Sequence, residues 1–178
     1  DKKREPARFI LLGSASPDFL RHSAESLAGR IAYFELTPFS IGEVGAQMPL
    51  NEHWLRGGFP DACLAPDLDF TWDWHRQFVQ SFIERDLRIL GIDVNPVLFD
   101  RLMRMLGHVH AGQQNIRELS NSLAISAPTV ARYLDVLEGS FLITRLQPWF
   151  VNIGKRLTKS PKIFIRDSGL LHYLLHVQ

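Results

Sequence analysis

Residues 115–139, NIRELSNSLAISAPTVARYLDVLEG, decide the fold. Asn115 can cap a helix, and Glu118 stands three residues on to return the bond as in a capping box. Ile116, Leu119 and Leu123 share one face, so the spacing predicts a helix over 116–124. After the turn Ile125-Ser126-Ala127, Pro128 suits the first position of a second helix, where its missing N–H costs nothing. Val130, Tyr133, Leu134 and Leu137 form the inward stripe of that second helix, and Gly139 is its stop. Helix, three-residue turn, helix is the helix-turn-helix pattern.

Working outward, the second helix turns Thr129, Arg132, Asp135 and Glu138 away from its stripe, where a recognition helix presents base-reading side chains. Downstream come β-formers (Ile143, Thr144, Trp149, Phe150, Val151), a turn at Asn152-Ile153-Gly154 and a return strand Lys162–Ile165. Helix-turn-helix plus hairpin is expected to make a winged helix-turn-helix domain. Its wing carries Arg145, Lys155, Arg156, Lys159, Lys162 and Arg166, with no acidic residue in the segment. The whole chain is only +1, and residues 1–144 hold 14 basic against 18 acidic side chains, so the positive charge is local. Because phosphate contacts supply most nucleic-acid affinity, Thr129, Arg132, Arg145, Lys155, Arg156, Lys159 and Lys162 are the candidate contacts to double-stranded DNA. Between Asn115 and Glu138 two basic residues face three acidic ones, a poor balance for a helix entering the major groove. Docking of a protein partner is the competing reading.

At 178 residues the chain can bury about 70% of its unfolded surface in one substantial core or two small ones. Apolar and charged fractions of 46% and 22% are ordinary for a soluble protein. A single cysteine, Cys63, excludes an internal disulfide framework and a zinc-finger set, and makes the cytoplasm the expected compartment. No apolar run approaches the roughly 20 residues needed to span a bilayer, so no membrane partner is expected. His108-Val109-His110 and the i, i+4 pair His172/His176 have metal-ligand spacing but no third ligand nearby in sequence, and no metal site is expected.

Toward the N-terminus, Phe9–Leu12 followed by Gly13-Ser14-Ala15-Ser16 reads as a buried parallel strand emptying into a loop. Ser16 caps a helix from Pro17 to about Ala28, and Ile31–Leu36 is a second strand-like run, completing a βαβ unit. One such unit cannot close a doubly wound sheet, so self-association through the incomplete sheet is expected. Further on, a short helix is expected over 38–47 and another over 50–56. Gly57-Gly58-Phe59-Pro60 reads as a turn that packs Phe59 inward, and a long helix runs from about Asp69 to Leu90 with Trp74, Phe78, Phe82, Ile83 and Leu87 on its apolar face. Gly91–Asn95 is a linker, and Asn95 caps a helix lined by Leu98, Leu102 and Met105.

Phe9–Ser16, Leu27-Ala28-Gly29-Arg30, Glu35–Ser40, Gly57–Pro60, Glu84-Arg85-Asp86-Leu87 and Ile165–Leu171 together resemble the bacterial and archaeal AAA+ superfamily ATPases that carry a C-terminal domain of unknown function. The resemblance implies a partial P-loop-type α/β remnant over 1–40, a helical connector over 41–94 and the winged helix over 95–178, mainly α with small β. It implies that Ser14, with Ser16 second, is the polar sensor near the γ-phosphate, and that Arg30 neutralises charge during phosphoryl transfer. ATP and Mg²⁺ are then cofactors of an intact parent protein. No Gly-x-x-x-x-Gly-Lys-Ser/Thr loop precedes the sensor strand, so this chain alone is expected neither to bind the nucleotide nor to hydrolyse it. Asp167, nuclease-like in position, lacks partner carboxylates in sequence. The remaining alternatives are a self-contained winged-helix DNA-binding regulator and a protein-interaction adaptor.

Overall fold

The computed structural model describes residues 10, 12–13, 32–149 and 159–177. Among them the protein is mainly helical with a small two-stranded sheet. Of the expected buried core strand Phe9–Leu12, Ile10 and Leu12 are described, and both are exposed and in no strand; Phe9, Leu11, the helix after the strand and the Asn152-Ile153-Gly154 turn lie outside the described residues.

Residues 32–36, expected within a second strand, are in no strand and are exposed, and a helix follows later than expected: α1 spans Ile41–Val44, with a 3₁₀ turn over Gly45–Gln47. Pro38 and Phe39 stay outside it because Ser40 is the cap, its backbone N–H held by the Glu43 carboxylate at 2.8 Å. Helix α2, Leu50–Arg56, ends at Gly57, whose φ of 80° only glycine adopts without strain. A one-turn helix α3, Pro60–Cys63, starts with proline in its first turn.

The expected long helix is three segments. Asp67 caps α4, Leu68–Ser81, by accepting the Phe70 N–H at 2.8 Å; a π-helical turn spans Phe82–Asp86; α5 is Leu87–Ile89. The wider π turn inserts a residue into the α repeat, and the adjacent Phe82 and Ile83, with Leu87 beyond them, are all buried. Arg85 and Asp86 form the surface ion pair that this charged run suggests.

Helix α6, Pro96–His108, is capped by Asn95, but its buried stripe is Phe99, Leu102, Met103 and Leu106 rather than Leu98, Leu102 and Met105. Phe99 wins the inward position by stacking between Phe82 and Tyr133, at 6.2 and 5.1 Å between ring centroids. Asn115 caps α7, Ile116–Leu123, which ends at Ala124 in the left-handed conformation. Ser126 caps α8, Ala127–Gly139, so Pro128 is its second residue and not its first. Val130, Tyr133, Leu134 and Leu137 are buried, as the stripe predicts.

Strand β1, Ile143–Leu146, pairs antiparallel with β2, Lys162–Ile165, in the register Ile143↔Ile165 to Leu146↔Lys162. Residues 111–114 cover the other edge of β2: Ala111 N–H reaches Ile163 O at 2.7 Å, and Gln114 N–H reaches Pro161 O at 2.8 Å. The last helix, α9, is Ser168–Leu175. One buried cluster runs from Val79 to Leu87 on the central helix, through α6, α7 and α8 to both strands and α9.

Candidate nucleic-acid interface

Helix α8 and the β1–β2 hairpin meet through charge. Arg145 on β1 donates from Nε to Glu138 Oε2 at 2.8 Å and from its terminal nitrogen to Asp135 Oδ1 at 2.7 Å, while its backbone N–H donates to Glu138 Oε1 at 2.9 Å. Burial works against this guanidinium, but the hydrogen bonds to Glu138 and Asp135 outweigh it and hold its pKa above the usual arginine range. The two outward carboxylates of α8 thus share one cation, and this corner keeps a net charge of −1.

The other candidate contacts are placed differently. Thr129 is half-buried in the first turn of α8, with its hydroxyl 2.8 Å from Ser126 Oγ. Arg132 is exposed but bends toward the linker before α6, donating to Asp93 O at 3.2 Å with its guanidinium 5.6 Å from the Tyr133 ring. Lys159 and Lys162 are exposed on the approach to β2 and at its first residue. Arg166, beyond the strand, is ion-paired with Glu35 and lies over the Phe141 ring. Lys155 and Arg156 lie outside the described residues, as do Ser14 and Arg30. The fold therefore brings Arg145, Asp135 and Glu138 into one cluster and leaves Thr129, Arg132 and the two lysines apart from it.

A second polar group was not legible in sequence. Asp167 is buried; its Oδ1 accepts the Leu170 N–H at 2.8 Å, capping α9, and its Oδ2 accepts the Gly58 N–H at 2.7 Å. Both oxygens are thus spent on backbone, the structural account of an aspartate whose position suggested a nuclease carboxylate. Gly58 O in turn accepts the Phe39 N–H at 2.7 Å. Beside it His75, fully buried, has Nε2 3.1 Å from Arg56 O, and His172 has Nδ1 3.3 Å from Leu55 O. Arg56 is buried too, donating to Ala65 O at 2.6 Å, with Nε 2.9 Å from Glu52 Oε1 at ion-pair distance but not in hydrogen-bond geometry. No local pattern announced this joint, because Gly58 and Asp167 lie 109 positions apart.

Among the described residues, no three His, Cys, Asp or Glu side chains are placed to hold a metal ion. No helix among the described residues is long and apolar enough to cross a membrane.

Residues 47–178 match the family model described as a domain of unknown function, DUF8612. The chain belongs to that family. Residues 1–45 match a model described as an AAA domain, so the DUF8612 region follows an AAA-type segment almost without a gap. The uncharacterized protein Rv2008c of Mycobacterium tuberculosis is 42% identical over 177 residues, as is the uncharacterized protein Mb2031c of Mycobacterium bovis. The match covers 99% of this chain and spans only 40% of the length of each relative. No solved structure matches the chain. Both the candidate interface and the Asp167 joint lie within the DUF8612 region, and Glu35 and Phe39, which touch the Arg166–Asp167 corner and Gly58, lie in the AAA-type segment.

Proposed function

We propose that this chain is the part of an AAA-type ATPase that couples nucleotide state to a winged-helix module, and that the module's hairpin grips the backbone of double-stranded DNA. In this reading residues 95–178 are the winged helix, the basic segment 143–166 is its wing, and ATP with Mg²⁺ is handled by the intact parent. Ser14 and Arg30 are then its nucleotide-sensing residues. The observation that carries it is the run of six basic and no acidic residues between 145 and 166, in a chain otherwise net negative. Arg145 is spent on Asp135 and Glu138, so it offsets one of the two carboxylates on the helix face, and Lys155, Arg156, Lys159 and Lys162 carry the phosphate contacts. Thr129 and Arg132 would join them only by leaving their present partners, Ser126 and Asp93.

A second reading, docking of a protein partner, draws on the net negative charge left where Arg145 meets α8. The test is a fluorescence-anisotropy titration of labelled duplex DNA at two salt concentrations with this chain and with its Lys155→Glu/Arg156→Glu variant. Binding that weakens steeply with salt and falls at least about tenfold in the variant is expected. Absence of binding at low salt would turn the module to protein docking.

A further inference from the structure

We infer that a groove between α4 and the end of α9 is a binding site for the arginine side chain of a protein partner. The groove encloses about 450 Å³, within the range of ligand pockets. One wall is a single face of α4, where Asp69, Trp72, Asp73 and Arg76 follow at helical spacing; the other is Tyr173, His176 and Val177.

Four features select a cation, and a planar one. Trp72 and Tyr173 are both half-buried and line the same space, so a guanidinium there meets aromatic surface. Arg104 already sits 5.9 Å from the Tyr173 ring centroid, showing that this ring accepts a guanidinium. The Asp69 carboxylate is exposed and has no partner among the described residues. The groove also closes on the C-terminal end of α9, where the helix dipole is negative.

The resident cations do not oppose this. Arg76 is held by Asp73 at 2.7 Å, and Arg104 by Asp100 at 2.8 Å, with its other nitrogen on His176 Nε2. Among the lining residues two carboxylates, Asp69 and Asp73, stand against one guanidinium, Arg76, and leave the groove net negative. A peptide source is favoured over a free amine because Leu68 and Val177, both exposed at the rim, offer apolar surface that a neighbouring side chain of a peptide would cover.

The test is ¹H–¹⁵N correlation spectroscopy of the whole chain titrated with acetyl-leucyl-arginine amide. In parallel it is titrated with the isosteric but uncharged acetyl-leucyl-citrulline amide and with agmatine. The arginine peptide is expected to shift the Trp72 indole and the amides of 173–177 saturably. The citrulline peptide should bind at least about fivefold more weakly, and agmatine at least about threefold. Asp69→Asn, an exposed substitution that leaves the fold intact, should weaken the arginine peptide by about three- to tenfold. Equal binding of the citrulline peptide, agmatine binding as tightly as the peptide, an unchanged affinity in Asp69→Asn, or no shift at all would each overturn the assignment.

Discussion

Two charged residues twenty-two positions apart, Arg145 and Asp167, solve the same problem in opposite ways. Arg145 is half-buried and answers charge with charge, bridging Asp135 and Glu138 where solvent still reaches all three. Asp167 is buried and answers charge with backbone, accepting N–H groups from Gly58 and Leu170. Ion pairs near the surface are screened and contribute about 0–1 kcal/mol, whereas stripping a buried acceptor from its donors costs about 1–3 kcal/mol for each group stranded. The Arg145 ion pairs are therefore a weak clamp added to a hairpin whose Ile143, Ile163 and Ile165 already sit in the core, while the Asp167 bonds lock α2 to α9.

The largest effect that tests this contrast is at Gly57. A Cβ there would lie 2.3 Å from Asp167 Oδ1 and 2.7 Å from the Gly169 nitrogen, on a backbone already at positive φ. Gly57→Ala is expected to cost more than about 3 kcal/mol in denaturant unfolding, at the upper end of what single substitutions do. A loss below about 1 kcal/mol would mean that the joint yields and is no lock. Arg145→Met keeps the apolar stem and removes the charge, leaving Asp135 and Glu138 to repel each other across solvent. It should cost only about 1 kcal/mol, and the loss should shrink in high salt. A loss as large as that of Gly57→Ala would erase the distinction between clamp and lock.

How much of this was legible beforehand follows from the range of each interaction. Caps at Asn95 and Asn115, the α8 stripe and both strands were readable, because the residues that decide them lie within four positions or alternate along a strand. The α6 stripe was misplaced by one residue, because Phe99 is drawn inward by Phe82 and Tyr133, partners invisible to a local pattern. The π turn hid for a similar reason: its extra residue serves contacts made by helices far along the chain. At the candidate interface, composition located the basic segment but not the destination of each cation. Arg145 and Arg166 look alike in sequence, yet one is spent on α8 and the other on Glu35. Asp167 was singled out for its chemistry, and its partners proved to be amides, which no side-chain pattern announces.

Acidification gives the finest version of the comparison, because burial lowers the pKa of His75 at the joint, which also holds His172, and of His110 at the hairpin below the usual 6.5. At the joint, burial keeps His75 neutral against the opposing influence of the Arg56 carbonyl and Asp167; at the hairpin, His110 Nδ1 accepts the Ile165 N–H at 3.1 Å and must stay unprotonated to do so. With the folded pKa below the unfolded one, the unfolded chain takes up the proton first. Stability is then complete above the unfolded pKa and falls as the pH drops through about 6.5 toward the folded value. His110→Gln offers a side-chain oxygen to Ile165 without titrating, and should flatten the decline in melting temperature between pH 7.5 and 5.5 by up to one proton's share. Because the edge of β2 is held by His110 and by residues 111–114 together, amide exchange of Ile165, taken relative to its intrinsic rate at each pH, should accelerate in acid in the wild type while that of Gly58 does not. Equal acceleration at both amides would place the acid-sensitive step in the joint, with His75 as its origin.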